Sequence, residues 1–471
     1  VKKGKFSTIF STIFQLPLHN LSTIQHENFL STFPQIFNSA IVEKNMRNFG
    51  LFYRFPPFQQ PLLLLLSTFI FFFCFFALSA QQIKKDWWET HAGNQKLQIE
   101  RVLSFMKFTC EKQALYQAVT YVSKGVAQKS TIPALEGIRM QVRPGRLQLT
   151  GYDLEFGIQT HLAVDTADTG EFVINARLLS ESVRRFSGTQ VTITVTEQLA
   201  VTMQCDATEF RISAMSAEDY PALPTLETTS GLTLEQPILR SMIHQTYYAA
   251  SLNENKPVFT GELFETVDSQ LRVVAIDGYR LAIRTEPIAV TTPQHFVVPK
   301  RTLLEVASML KDDAETPCIV TASRNHIAFS FNGYLVFSRL LEGEFHNYQS
   351  SIPANHETEV ILKTADLISC LERCSLLINS KFNAPICCTF SEEQLNIRCQ
   401  TGIGKINDTI PAQITGPDVT IGFNNRYLLE AAKAADCDQV RLQLSGGNHV
   451  AKMVPMQGEA FIFLLMPIQL R

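Results

Sequence analysis

The 471-residue chain has no Gly-x-x-x-x-Gly-Lys-Ser/Thr loop, no Gly-x-Gly-x-x-Gly turn and no His-Glu-x-x-His. These absences remove the P-loop nucleotidases, the dinucleotide-binding dehydrogenases and the common zinc hydrolases. "TGIGK" at Thr401 has the look of a phosphate loop but lacks its spacing and its Lys-Ser/Thr ending. From Met106 onward the histidines (His161, His244, His295, His326, His346, His356, His449) are scattered, none beside a plausible Ser or Cys nucleophile. Acid is scarce in the first 105 residues, where only Glu27, Glu43, Asp86, Glu89 and Glu100 occur. A disulfide framework is also missing. Nine cysteines follow Met106 (Cys110, Cys205, Cys318, Cys370, Cys374, Cys387, Cys388, Cys399, Cys437), an odd number with several inside apolar runs, which suits buried thiols in a reducing cytosol. Cys370 and Cys374 could be half a metal site, but their apolar helix "LISCLERCSLL" reads better as packing.

Residues 1–105 carry 17 of the 34 phenylalanines in strings without steady helical or strand period. Pro61–Ala80, "PLLLLLSTFIFFFCFFALSA", is an uncharged run long enough to span a bilayer. It admits three readings: a membrane anchor, a long leader, or translated sequence upstream of the true start. Val1 opens the chain and Met106 stands directly before the first well-patterned element, so the third reading is the expectation.

What is present is a repeat. "LQLTGYDLEF" at Leu147, "LRVVAIDGYRLA" at Leu271 and "LNIRCQTGIGKI" at Leu395 stand 124 residues apart, as do Asn175, Pro299 and Phe423 in a second set of segments. Residues 106–471 therefore read as one module written three times, with expected domains at 106–228, 229–352 and 353–471. In the first, Leu115, Ala118, Val119 and Val122 recur at helical spacing. Alternating strands follow, then a second short helix with Leu178, Leu179, Val183 and Phe186 that Gly188 should close. Two short helices are too few to cover both faces of a sheet. The expected class is α+β, mainly antiparallel sheet with both helices of each repeat on one side. Asp153 and Asp277 occupy equivalent turns and read as turn caps rather than as an acid/base pair.

From Met106 the chain holds 31 Lys and Arg against 39 Asp and Glu, a net charge of −8. Yet bases gather near the helices: Lys112, Lys124, Arg177, Arg184, Arg185, Lys300, Arg301, Arg426 and Lys433. Any one of these bases reads first as part of a solvated face, but the recurrence of Arg177, Arg301 and Arg426 after the same strand raises the case for weak, sequence-independent phosphate contact.

Several motifs then point to one family. "MKFTCEK" at Met106, "TIPALEGIRM" at Thr131, "LTGYDLEF", "FETVDSQLRVVAIDGYRLA" from Phe264, "FVVPKRTLLEV" from Phe296, "IGFNNRYLLE" from Ile421 and "LLMPIQL" from Leu464 resemble the bacterial sliding clamp, the DNA polymerase III beta subunit. The resemblance covers all 366 residues from Met106 and none before it.

It implies a three-fold repeated clamp domain with antiparallel sheets outside and helices lining a homodimeric head-to-tail ring around double-stranded DNA. It implies a cytoplasmic, nucleoid-associated processivity subunit without catalysis, cofactor, metal or membrane. Its partners would be a clamp loader, the replicative DNA polymerase, and repair polymerases and other peptide-motif proteins. Phe210 and Ile212 would meet a partner helix carrying Leu376 and Leu377. A peptide cleft would use Gly278, Tyr279, Arg280, Leu281, His346, Met466 and Pro467, with walls from Phe259, Ile276, Leu464 and Ile468. Lys129 takes a loop position that is commonly Arg, where it would touch DNA or be a plain surface lysine. Tyr279 replaces a family His, His346 a Pro, Ser350 and Ser351 a basic and an apolar residue, and Gln469 a basic residue, which puts the cleft's peptide preference in question.

Overall fold

The computed structural model describes residues 106–226, 231–289, 293–378 and 384–470. The expectations for residues 1–105, including the apolar run at 61–80, lie outside the described residues. Among the described residues no helix is long and apolar enough to cross a membrane.

Each repeat has the order strand, helix, four strands, helix, three strands, with one added strand in the third. The first comprises β1 (Met106–Glu111), α1 (Lys112–Val122), β2 (Gly137–Arg143), β3 (Arg146–Tyr152), β4 (Phe156–Ala163), β5 (Gly170–Asn175), α2 (Ala176–Arg185), β6 (Gln190–Val195), β7 (Ala200–Cys205) and β8 (Thr208–Ser213). The second comprises β9 (Gly231–Leu234), α3 (Gln236–Thr246), β10 (Gly261–Val267), β11 (Gln270–Ile276), β12 (Arg280–Pro287), β13 (Gln294–Pro299), α4 (Lys300–Met309), β14 (Cys318–Ala322), β15 (His326–Phe331) and β16 (Tyr334–Arg339). The third comprises β17 (Thr358–Lys363), α5 (Thr364–Ser375), β18 (Ile386–Ser391), β19 (Gln394–Thr401), β20 (Gly404–Pro411), the added β21 (Gln413–Thr415), β22 (Val419–Phe423), α6 (Asn425–Ala434), β23 (Gln439–Leu444), β24 (Ala451–Pro455) and β25 (Phe461–Leu465).

The pattern of apolar residues explains these elements. Along β1, Met106, Phe108 and Cys110 point into the core while their neighbours do not, the period of a half-buried strand. On α1 the buried set is Leu115, Ala118, Val119 and Val122, one stripe of a helix. Asn175 caps α2 by accepting from the Leu178 amide at 3.1 Å. Asn424 caps α6 in the same way, accepting from Arg426 at 3.0 Å. The third repeat therefore carries one extra residue here, and Asn424, not Phe423, is the counterpart of Asn175 and Pro299. Gly188 does not close α2: the helix ends at Arg185 with Phe186 already extended. A side chain at 188 would come within 2.4 Å of the exposed Asp206 carboxylate, which would have to swing aside.

Among the described residues all strand pairs are antiparallel, and the sheets cross repeat boundaries. Strand β4 pairs with β16 (Phe156 opposite Ser338, Ile158 opposite Val336, Thr160 opposite Tyr334), which fuses repeats one and two into an eight-stranded sheet. Strand β12 pairs with β25 (Arg280 opposite Leu465, Ala282 opposite Phe463, Arg284 opposite Phe461), which joins repeats two and three in a nine-stranded sheet. Two four-stranded sheets remain, ending at β8 and at β20. The core also runs through the boundaries, since Tyr248, Ala249, Ala275 and Ala282 of the second repeat pack in the same cluster as Leu428, Phe461 and Phe463 of the third.

Candidate functional site

At the boundary of repeats two and three, the turn between β11 and β12 builds a groove. Asp277 Oδ1 accepts from the Tyr279 amide at 2.9 Å and the Arg280 amide at 3.0 Å, closing the turn. Gly278 sits at φ +89°, a conformation that side chains resist, and a Cβ there would meet nothing, so the constraint is purely conformational. The turn sends its two large side chains opposite ways. Tyr279 is 64% exposed, its ring 6.4 Å from that of Tyr427. Arg280 is buried, bonded to Asp277 Oδ2 at 2.9 Å and to Glu430, and its guanidinium lies 4.2 Å above the Tyr427 ring. Burial alone would raise the Glu430 carboxyl, but hydrogen bonds from Arg280 and Arg426 outweigh it and hold the group below the usual carboxylate range.

Phe259, Ile276, Gly278, Tyr279, Arg280 and His346 all line this groove of about 790 Å³. Phe259 meets Phe345 edge-on at 5.7 Å. Leu281 and Leu464 lie opposite each other in the β12–β25 pair, buried in the same apolar cluster as Phe345. The C-terminal residues Met466, Pro467 and Ile468 stand apart from the lining. The Met466 amide donates to the Tyr279 carbonyl at 2.9 Å and that of Ile468 to Gly422 at 2.8 Å, so the tail is pinned beside the turn with Met466 48% exposed. Tyr427, Arg426, Lys256 and Leu252 also line the groove. Sequence reasoning used Arg426 only as a helix base. The signal for Tyr427 was its place one residue after that arginine, on the same exposed turn.

The helix-associated bases are mostly tied to acids. Lys124 meets Glu305 at 2.7 Å, Arg184 and Arg185 both meet Glu181, Arg301 meets Asp153 at 2.8 Å, Arg426 meets Glu430 and Lys433 meets Glu372. Lys112 is half-buried, while Lys129 and Arg177 are exposed; none of the three has an ion pair among the described residues. Lys300 departs from the expected row. Its ammonium is half-buried, 5.3 Å above the Tyr247 ring, and burial pulls its pKa down. Nearby Glu262 is fully buried where the other repeats have Ile138 and Ile386, and burial pushes its carboxyl up to about 8 despite a hydrogen bond from Thr246. These bases are a partly neutralised surface rather than a dense cationic one.

At the free edge β8, Phe210 and Ile212 are half-buried, Phe210 meeting Phe186 edge-on at 5.5 Å. Leu376, just past α5, is 78% exposed, and Leu377 lies beside Gly404 at the start of the other free edge.

Profiles of the DNA polymerase III beta subunit match the chain in three consecutive parts: its N-terminal domain at residues 106–224, central domain at 233–347 and C-terminal domain at 349–469. The chain belongs to the DNA polymerase III beta subunit family. The beta sliding clamp of Bacillus subtilis (strain 168) is 29% identical over 377 residues, spanning 77% of this chain and 100% of that protein. That of Synechococcus elongatus is 28% identical over 375 residues, with 78% and 100% covered. A crystal structure of the Bacillus subtilis clamp superposes with a TM-score of 0.75 at 28% identity, covering 78% of this chain and 100% of that one. The Pseudomonas aeruginosa clamp gives 0.74 at 25% identity over the same shares. The three-domain clamp fold of the family is thus present in this chain, and the match to the family begins at the first described residue.

Proposed function

We infer that this chain is a DNA sliding clamp: two copies close head to tail into a ring around duplex DNA and hold a polymerase there by linkage, without catalysis. The observation that carries this reading is the pair of unsatisfied edges. Within the chain, the β4-type edges of the first two repeats, β4 and β12, are each covered by the last strand of the next repeat. Among the described residues, the edges of these two types left over are β20, of the β4 type, and β8, a last strand, and they would complement one another between copies. Contacts at the two internal boundaries support it. Tyr121 beyond the middle of α1 packs edge-on against Tyr334 of β16 at 5.3 Å, and Tyr248 just past α3 against Phe463 of β25 at 5.6 Å. At a third boundary of the same kind, Leu376 and Leu377 past α5 would meet Phe210 and Ile212 of a second chain. Unequal surfaces joined this way close a ring.

The paired bases suit that task. A protein held on DNA by topology needs weak, mobile phosphate contacts, and strong base reading would stop it from sliding. Lys112, Lys129 and Arg177 are the free cations proposed to meet the backbone, with Lys124, Arg184, Arg185, Arg301, Arg426 and Lys433 available by exchange from their acids. The groove beside Tyr279 is proposed to take a short peptide from the polymerase, the clamp loader or repair factors, with Phe259, Ile276 and the exposed Met466 offering apolar contact for Leu and Phe anchors. The loader would supply the ATP chemistry that opens the ring. Small-angle scattering of the full chain tests the central claim. Twice the 53.0 kDa chain mass with the distance distribution of a hollow particle is expected, and a monomer at micromolar concentration would refute it.

A further inference from the structure

The three repeats can be laid over one another strand by strand, and doing so fixes the register of the contact between two copies. Residues 156–160 of β4 and 280–284 of β12 are equivalent, 124 apart, and the same step reaches 404–408 of β20. Their partners are also equivalent: 338 to 334 on β16 and 465 to 461 on β25. On β8 the matching residues are 212 to 208, because Thr208 opens its strand opposite Cys205 as Tyr334 does opposite Phe331. Gly404 then lies opposite Ile212, Ile406 opposite Phe210, and Lys405 opposite Arg211. Burial agrees with this alignment. Gly404, Ile406 and Asp408 alternate as the less exposed face of β20, as do Phe210 and Ile212 on β8, while Lys405 and Arg211 are exposed.

The charges at this boundary differ from those inside the chain. At the first internal boundary, Arg301 crosses to Asp153 and Lys124 to Glu305; at the second, Arg280 crosses to Glu430. The positions corresponding to the crossing groups Asp153, Lys124 and Arg280 are Thr401, Leu376 and Gly404. Glu181, the counterpart of Glu305 and Glu430, bonds only Arg184 and Arg185 on its own helix among the described residues. On the opposite face, the pairs equivalent to Lys405 and Arg211 are Gly157 with Phe337 and Leu281 with Leu464, all uncharged.

Resting on the ring reading, we propose that the contact between copies is an electrostatically weakened joint, in which Lys405 faces Arg211 of the second copy and Arg177 finds Thr401 where its counterpart Arg301 finds an aspartate. Arg211 also pairs with Glu209 two residues back on its own strand, but that exposed pair is worth little, and like charges directly opposite on neighbouring strands repel. This joint therefore yields before the two internal boundaries do, and it tightens with salt where an ion-paired contact would loosen. Both side chains project from the sheet surface, so altering them leaves the apolar rows of Phe210, Ile212 and Ile406 in place.

The test is the dimer dissociation constant of the full chain across 50 to 500 mM salt (about 14 to 4 Å of screening length), for wild type, Lys405→Glu, Arg211→Glu and the double variant. Lys405→Glu should tighten the dimer on the order of tenfold at low salt, two joints each gaining an attraction in place of a repulsion. The double variant should return towards wild type, because two glutamates repel as two bases do. The wild-type dimer should strengthen as salt rises. A dimer whose affinity ignores Lys405→Glu, or a double variant as tight as the single, overturns this inference and leaves the ring standing. A wild-type chain that is monomeric throughout overturns both.

Discussion

Leu376→Ala is the most direct perturbation of ring closure. This side chain is 78% exposed in the single chain, lies just past the end of α5 and is absent from the apolar clusters of the core. Its loss therefore costs the folded monomer almost nothing. If it is covered by Phe210 and Ile212 of a second copy, truncation removes about 2 kcal/mol of apolar burial at each contact. Separation into monomers breaks both contacts, so the penalty doubles to about 4 kcal/mol, a dissociation constant weakened roughly a thousandfold. The assay is dilution of a fluorescently labelled full chain from micromolar to picomolar, with dissociation read by sedimentation or by subunit exchange. Leu252→Ala is the control: that leucine is 77% exposed but lies in the Tyr279 groove, away from both free edges. Equal dissociation constants for Leu376→Ala and wild type would refute the reasoning, and so would equal weakening by Leu252→Ala. Loss of the folded monomer in Leu376→Ala would contradict the exposure on which the estimate depends.

Three further outcomes are expected. Tyr279→Ala should leave the fold unchanged and weaken a fluorescent Leu- and Phe-containing peptide by roughly tenfold, the loss of one exposed aromatic contact; unchanged polarisation titrations would remove Tyr279 from the peptide site. Gly422→Ala would place a Cβ 2.3 Å from the Ile468 carbonyl oxygen, so the tail should lift and the Ile468 amide should lose its protection from hydrogen exchange; retained protection would show that the tail is not held against β22. For Glu262 the folded pKa of about 8 lies above its ordinary 4.5, so the stability of the protonated form is complete in acid and is lost as pH rises between those values. Glu262→Gln, a neutral mimic of the protonated acid, should lack that loss and gain on the order of 3 kcal/mol over wild type between pH 5 and pH 8 in denaturant unfolding; an offset independent of pH would refute a protonated Glu262.

The repeat, the helix stripes and the strand alternation were legible because burial imposes a period on the sequence. Leu115, Ala118, Val119 and Val122 announce α1, and the 124-residue step aligns three turns. The turn role of Asp153 and Asp277 was equally readable, since both side chains do accept amides two and three residues on. What the sequence hid was pairing across distance. Lys124 and Glu305, or Arg301 and Asp153, are far apart in the chain, and only the fold shows that bases read as free are held by acids from a neighbouring repeat. Lys300 looked like one more helix base until the fold turned it towards Tyr247 and Glu262. The register at Phe423 was off by one residue because an extra residue between β20 and β22, in the stretch that holds β21, breaks the 124-residue step.

One backbone serves three different boundaries, and the difference lies in the same turn each time. In the first repeat the turn is Asp153-Leu154-Glu155, with Leu154 held at φ +80° and Arg301 bound to the aspartate, so the boundary is closed by charge. In the second it is Asp277-Gly278-Tyr279. Glycine relieves the strained position, the arginine moves onto the strand as Arg280, and the exposed tyrosine opens a groove where the first boundary has a smaller hollow beside Glu155. In the third it is Thr401-Gly402-Ile403. The hydroxyl of Thr401 still closes the turn by accepting from the Ile403 amide at 3.3 Å, but no charge remains to bind an arginine, and Ile403 is 54% exposed. A threonine preserves the local hydrogen bond and discards the ion pair. The turn chemistry that shapes the backbone is thus separable from the charge that fastens neighbours: the same module is held by an ion pair at one boundary and opens a groove at the next, and in the proposed ring it would join another chain weakly at the last.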